Sequence, residues 1–471
     1  MAQEEPPLTA APIAAAPPAA VDEVAFLREH APWLFAPELG ACIVGSSALA
    51  IACARSSTVG PRPGDLDLAW ALDVAAGEAL LRRHGVFLQT TEGNQARGTL
   101  ALKIAGRRLE ITTFRGRDTA APVAQRIADD LAERDMTIGA LALQLATGGL
   151  HDPQQGLRDW QERRIRAVGD PAERVREHPV RWLRYYRKAH ELGFDLDSQV
   201  RSLDLPPQLL LDLPKEAIGG ELRSLMAKCA SPGRCLCELH EAGLLEVLAP
   251  ELALQFDGRP AGPQRHHPEV SQGLHLILAL EWAFAHTQHL DERDALTVRI
   301  AVLCHDLGKG YTRAADLPRH LGHDHAGLAP IAHLLDRWPG LADQRARTLA
   351  RQVCALHLHM HNLAALRPGT LARLYDEWLR GGEFDAELFA LAIAADSAGR
   401  LGLYDTGVTV RDTVQREVQW LRATCAGVDA AALRERHADD LVAFRAALHE
   451  ARAKALARSR RELTSPADEA P

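Results

Sequence analysis

The chain has 471 residues, a formal net charge of -8 and 47% hydrophobic residues, which allows three or more domains with ample core. The acidic balance argues against a wholesale nucleic-acid binder, and no run approaches the ~18 consecutive apolar residues of a membrane span. Eight cysteines without CxxC pairs or regular spacing read as reduced core residues of a cytoplasmic protein.

Residues 1–24 are rich in Ala and Pro and carry early acids in place of a basic leader, so they read as a disordered arm. Strand-like runs fall between about 40 and 115, and nearly everything after 125 has helical periodicity. This pattern predicts an α+β head followed by a long helical body, without a fixed-period repeat. The boundaries expected are a head at 25–147, a helical neck at 148–215, a body at 216–262, a metal-binding helical domain at 263–420 and a helical tail at 421–471.

In the head, "CIVGSSALAIACAR" reads as a short strand, Cys42 to Val44, then a tight turn at Gly45 and Ser46 that opens an Ala-rich helix. Such a turn presents backbone N–H groups to an anion, and a triphosphate is the expected occupant. In "GPRPGDLDLAW", side chains two positions apart on a strand share a face, so Asp65 and Asp67 stand side by side while Leu66, Leu68 and Trp70 face the core. A polar strand end after a Pro/Gly turn gives the same spelling. The alternative is a pair of like charges held by a divalent cation, and Glu110 in "RRLEITTFRG" supplies a third acid. Three carboxylates around magnesium suit nucleotidyl transfer. In "DDLAERDMTIGALALQL", read as an acidic helix start followed by an apolar stretch, Arg134 follows the third acid and is placed to fork onto triphosphate oxygens. From Leu157 to Lys188, ten Lys/Arg stand against five Asp/Glu with Trp and Tyr interleaved, which fits either a phosphate-contacting surface or a solvated helix face.

A second constellation lies downstream. His275 sits on an apolar helix, His305 and Asp306 are adjacent before a Gly/Lys turn, and Asp396 stands in a small-residue helix. These four are expected to ligate a divalent metal with positions open for a phosphate ester, and His320 and His323 are expected to support them or contact the phosphate. The run "LHLHMH" adds His357, His359 and His361.

In chain order, "VGSSALA", "DLDLAW", "EITTFR", "DDLAERDMTIGA", "EHPVRWLRYYRK", "CELHEAGLLEVLAPEL", "HHPEV", "RIAVLCHDLGKG", "RHLGHDHAG" and "AADSAGR" cover about residues 40 to 405. With these the chain resembles the bacterial CCA-adding enzymes, class II tRNA nucleotidyltransferases of the poly(A) polymerase family, in the form carrying a C-terminal HD domain. The resemblance implies a polymerase-β-like head, an all-helical neck and body, and a helical HD domain. It implies CTP and ATP as substrates, the tRNA 3' end as partner, no membrane, and a monomer or homodimer. It further implies Mg²⁺ in the head, and phosphatase and 2',3'-cyclic phosphodiesterase action in the HD domain with a metal left unspecified. Asp65, Asp67 and Glu110 then become the catalytic acids. Gly45, Ser46, Arg134, Asp135, Glu177, His178, Arg181 and Arg184 would bind the nucleotide, with the Gly45–Ser46 turn and Arg134 on the triphosphate and positions 178 and 181 of the neck motif on the base.

The chain departs from the family pattern at several places. The family's EDxxR neck motif reads "EHPVR" here, so His178 replaces the Asp that reads the base, Glu133 replaces the first Arg of RRD, Ser46 replaces a Gly, and Gly139 replaces an Asn. A carboxylate only accepts hydrogen bonds, whereas a neutral imidazole offers one donor and one acceptor, so altered or relaxed base selection is expected. A phosphohydrolase acting on RNA ends or nucleotides, with a specificity-altered or inactive head, is the competing reading.

Overall fold

The computed structural model describes residues 23–61, 65–89, 98–116, 118–381 and 384–464. Residues 1–22 lie outside the described residues, so the disordered-arm expectation is not addressed there, while Glu23 and Val24, counted with the arm, instead open a helix. Two compact units make up the chain: Met1–Arg174 with Asp195–Leu203, and Val175–Phe194 with Asp204–Pro471.

In the first unit a helix, α1 (Glu23–His30), precedes strand β1 (Cys42–Val44) and helix α2 (Gly45–Arg55). Strand β2 (Leu66–Trp70), helix α3 (Val74–Arg83), and strands β3 (Phe87–Leu88), β4 (Thr99–Ile104) and β5 (Arg107–Thr113) follow. Helix α4 (Val123–Ala132) leads to β6 (Ala142–Gln144) and β7 (Leu150–His151). These seven strands form one sheet in the order β3-β4-β5-β2-β1-β6-β7. Only β2 and β5 run parallel, with Asp67 directly opposite Glu110. Strand β2 is central, and Leu66, Leu68, Ala69 and Trp70 are all buried, as a strand covered on both faces requires. Helix α4 lays Ile127 and Leu131 on Cys42, Val44, Ala69 and Phe114, and that apolar packing fixes the chain just before Arg134.

The sheet extends further along the chain than expected. Strands β6 and β7, and a two-stranded parallel pair of β8 (Arg164–Ile165) with β9 (Asp195–Leu196), lie beyond residue 125. The run from Ile138 to Leu145 is apolar without a resolved period, and β1 claims its middle as a neighbouring strand. The stretch therefore follows sheet pairing and not the helical reading, an ambiguity inherent to short apolar runs.

The second unit is helical. It contains α5 (Pro171–Glu177, whose Val175 onward belongs to this unit), α6 (Val180–Leu192), α7 (Lys215–Lys228), α8 (Gln272–His286), α9 (Glu292–Cys304), α10 (Gln344–Met360) and α11 (Ala386–Ala398), among shorter turns. Helix α9 is buried from Ala295 to Cys304 and α11 from Leu388 to Ala398. A helix apolar all round belongs in a core, so any charge it carries is desolvated. Among the described residues, no helix is long and apolar enough to cross a membrane.

Candidate active sites

The head site is built at the β1–α2 turn. Gly45 has φ +64, a conformation that suits glycine, and a Cβ there would stand 3.6 Å from Asp67 Oδ2. The N-terminus of α2 has no side-chain cap, so its first N–H groups stay open for an acceptor. Ser46 lies in that first turn, and the buried Ser47 Oγ has no hydrogen-bond partner among the described residues.

Beside the turn, Asp67 shares the sheet face of Glu110 and follows Asp65 by two residues. Burial, then the charges of Glu110 and Asp65, pushes the Asp67 carboxyl from its ordinary 3.8 to about 6, with Arg134 pulling the other way. Burial first, and the neighbouring carboxylates second, disfavour the Asp67 anion, and carboxylate oxygens are the donor type a hard divalent cation takes. Exposed Arg108 lies 3.5 Å from Glu110, and the Arg134 charge partly offsets the burial and repulsion at Asp67.

Arg134 is held from below. Its Nε and Nη2 donate to Asp130 Oδ2 at 3.2 and 2.9 Å, and its Nη1 donates to the Gly139 carbonyl at 3.3 Å. Asp135 Oδ1 accepts the Met136 N–H at 2.9 Å. The neck residues lie in the second unit: Arg181 Nη1 donates to Glu177 Oε2 at 2.8 Å, and Arg184 Nε is 3.7 Å from Glu221. His178 sits between α5 and α6, where its carbonyl accepts the Arg181 N–H at 2.9 Å.

The second site gathers His275 of α8, His305 and Asp306 just after α9, His323 of a short helical turn (His323–Ala326), His357 of α10 and Asp396 of α11. His305 Nδ1 bonds the Val302 carbonyl at 2.7 Å, His323 Nδ1 that of His320 at 2.7 Å, and His357 Nδ1 that of Cys354 at 2.8 Å. With Nδ1–H committed, each ring aims an Nε2 lone pair inward. His275 Nε2 lies 3.3 Å from His305 Nε2 and 3.2 Å from Asp396 Oδ1. On the other side, His323 Nε2 and His357 Nε2 face each other at 3.1 Å, and stand 3.3 and 3.5 Å from Asp306 Oδ1. Asp306 Oδ2 meanwhile lies 3.1 Å from His305 Nε2.

Asp306 therefore has one oxygen toward His305 and His275 and the other toward His323 and His357. Both Asp306 Oδ1 and Asp396 Oδ2 are buried without a hydrogen-bond partner among the described residues. Opposed lone pairs and orphaned carboxylate oxygens fit a divalent cation on either side of Asp306. Burial favours a neutral Asp306, yet the charges of His305 and Lys309 hold its carboxyl well below the usual range. Burial likewise opposes the His275 cation, but hydrogen bonds to Asp396 and Glu269 outweigh it and push the pKa up to about 9. Burial takes His357 down to about 4, the neutral form that ligates.

Of the two histidines expected in supporting roles, the geometry separates them. His320 spends both nitrogens on Thr312 Oγ1 and the Pro260 carbonyl, each at 2.7 Å, and its own carbonyl holds His323. His323 instead faces Asp306 directly. His357, noted only as part of a His-rich run, stands opposite it, and Glu269, not singled out from sequence, lies 3.1 Å from His275 Nδ1 and 2.8 Å from His267 Nδ1. A cavity of about 320 Å³ opens onto the cluster, lined by Lys309, Arg319, His361 and Arg400, among others. Gly308 makes the approach possible, since a Cβ there would meet the His323 carbonyl oxygen at 1.9 Å.

The Poly A polymerase head domain family matches residues 50–166. The multifunctional CCA protein of Xanthomonas axonopodis pv. citri (strain 306) is 38% identical over 313 residues, covering 64% of this chain and 72% of the relative. That of Pasteurella multocida (strain Pm70) is 35% identical over 311 residues, 62% of this chain and 68% of the relative. Among solved structures, the Bacillus stearothermophilus CCA-adding enzyme in complex with CTP aligns with a TM-score of 0.57 at 19% identity, over 93% of this chain and 96% of that one. An apo CCA-adding enzyme aligns with a TM-score of 0.58 at 15% identity, over 95% and 90%. At those identities the likeness is one of fold.

Proposed function

The chain belongs to the multifunctional CCA protein family of tRNA nucleotidyltransferases, and from that premise we propose that its head adds or repairs the 3'-terminal CCA of tRNA from CTP and ATP, while its HD domain, residues 263–420, hydrolyses phosphate esters at a metal centre. The observation that carries the first half is the triple acid cluster of Asp65, Asp67 and Glu110 beside the open N-terminus of α2. In the head, the tRNA 3'-hydroxyl gives its proton to water and attacks the nucleotide α-phosphorus in line, a new P–O bond forms, and the bond to pyrophosphate breaks. The Gly45–Ser46 turn and Arg134 hold the triphosphate by N–H donation, and Asp65, Asp67 and Glu110 would hold magnesium. Magnesium so held supplies charge neutralisation at the α-phosphate and on the departing pyrophosphate. In the neck, His178 offers a base a hydrogen-bond donor that a carboxylate lacks.

For the HD domain the supporting observation is the inward set of four imidazoles around Asp306. His275, His305, Asp306 and Asp396 would hold one divalent metal, and Asp306, His323 and His357 a second. A divalent metal there supplies Lewis acidity toward a phosphate ester. Lys309 lies 2.6 Å from Asp306 and donates to the Ala261 carbonyl at 2.7 Å, which balances the buried acid. Arg319, Arg400 and His361 line the opening where the phosphate enters.

Paired variants test the assignment. Asp65→Ala is expected to lose at least ~10³-fold in nucleotide incorporation, several kcal/mol of lost charge stabilisation, and to keep phosphatase turnover. Asp306→Ala is expected to do the reverse. Incorporation by Asp65→Ala at the wild-type rate refutes the head assignment, and phosphatase turnover in Asp306→Ala refutes the other.

A further inference from the structure

Arg134 has five N–H groups, and three are already engaged. Nε and one proton of Nη2 go to Asp130 Oδ2, and one proton of Nη1 goes to the Gly139 carbonyl. The two left over are one on each terminal nitrogen, the number that bidentate phosphate recognition uses. The Arg134 charge also acts on Asp67, whose pKa it lowers.

What aims the fork is Asp130, and nothing in the chemistry described so far uses it. It is 2% exposed, on the last turn of α4, in an ion pair whose arginine is itself largely covered. Its second oxygen, Oδ1, accepts the Arg115 N–H at 3.1 Å. Arg115 comes two residues after β5, the strand of Glu110, and Phe114 between them donates its N–H to the Trp70 carbonyl at the end of β2. One buried carboxylate thus ties the chain just after β5, the strand of Glu110, to Arg134. Burying an acid is unfavourable unless it is paired and fully hydrogen-bonded, and Asp130 is both. With its charge balanced by Asp130, Arg134 offers nucleotide direction more than net charge.

We propose that Asp130 is a positioning residue for nucleotidyl transfer: it locks Arg134 so that the two remaining N–H groups meet the triphosphate in register with Asp65, Asp67 and Glu110. The inference rests on the reading that Arg134 contacts the triphosphate. Asparagine cannot reproduce the lock, because it has one acceptor oxygen for two separate sets of donors and turns its amide N–H groups against the other set. Glutamate keeps the charge but moves the carboxylate by one methylene.

Steady-state kinetics on the full-length protein with CTP, ATP and truncated tRNA tests it with Asp130→Asn, Asp130→Glu, Arg134→Gln and the double variant Asp130→Asn/Arg134→Gln. Expected is a rise of about tenfold or more in KM for both nucleotides, by the same factor for CTP and ATP, with the KM for tRNA unchanged. Since Asp130 acts through Arg134, the double variant should be no worse than Arg134→Gln alone. A merely structural role would lower thermal stability without this nucleotide-specific, base-independent pattern. If Asp130→Asn does not fold, Asp130→Glu and the double variant decide. An unchanged nucleotide KM in the Asp130 variants, with a raised one in Arg134→Gln, overturns the positioning role alone. An unchanged KM in Arg134→Gln overturns the reading of Arg134 itself, and the inference with it.

Discussion

Replacing Asp67 with asparagine should destroy transfer and at the same time stabilise the fold. The Asp67 carboxyl titrates at about 6 in the folded protein against an ordinary 3.8, because burial and the charges of Glu110 and Asp65 disfavour its anion. For an acid whose pKa is raised on folding, the native state binds the proton more tightly, so stability is complete below the unfolded pKa and is lost as pH rises through the folded one. At ~1.4 kcal/mol per pH unit, the anion costs at most about 3 kcal/mol at pH 8 and about half that at pH 5. The asparagine side chain carries no charge and escapes the cost. Thermal unfolding in EDTA should therefore show Asp67→Asn more stable than wild type at pH 8, by about 2–4 °C in the head transition for each kcal/mol. The gap should narrow at pH 5. Saturating magnesium should also close it, because only the wild-type anion gains from binding the cation. A variant no more stable than wild type at pH 8, or a gap indifferent to magnesium, would refute the claim that these carboxylates form a strained cation site.

Three further outcomes follow from the same geometry. His357→Ala should lower the metal bound by the HD domain from two ions per chain to one, measured by isothermal titration with the full-length protein, and one ion in the wild type would contradict two centres. His178→Asp should sharpen base choice, raising discrimination against UTP and GTP by about 10- to 100-fold, the scale of one or two hydrogen bonds to a charged group. Competition kinetics with mixed nucleotides reads this directly, and unchanged ratios would remove His178 from base selection. Gly308→Ala should collapse phosphatase turnover and leave transfer intact, since the added methyl group has nowhere to go against the His323 carbonyl oxygen.

The parts of this molecule legible in its sequence are those written in local periodicity. The alternation in "DLDLAW" places Asp67 on one face of a buried strand, and the turn at Gly45 has the spelling of a strand meeting a helix. His305 and Asp306 are recognisable because they are adjacent at the end of an apolar helix. What stayed hidden depends on contacts between distant segments. His357 lies 34 residues from His323 and is drawn to it only by the packing of α10. Glu269 is an ordinary exposed-type residue until His267 and His275 close over it. Asp130 looks like one more acid in a helix start, and its role emerges only when Arg115 and Arg134 converge on it. Strand β6 was illegible for a related reason: its pairing with β1 overrides a run that has no period of its own.

At the centre stands the claim that the acid cluster of the head transfers nucleotides to an RNA end without a template. Incubating the purified full-length protein with tRNA lacking its terminal residues, supplying each labelled nucleotide separately and together, and sequencing the added tail tests it most directly. C, C and A should be added in that order, with tails of relaxed composition where CTP or ATP is withheld. No incorporation from any nucleotide in the presence of magnesium would contradict it.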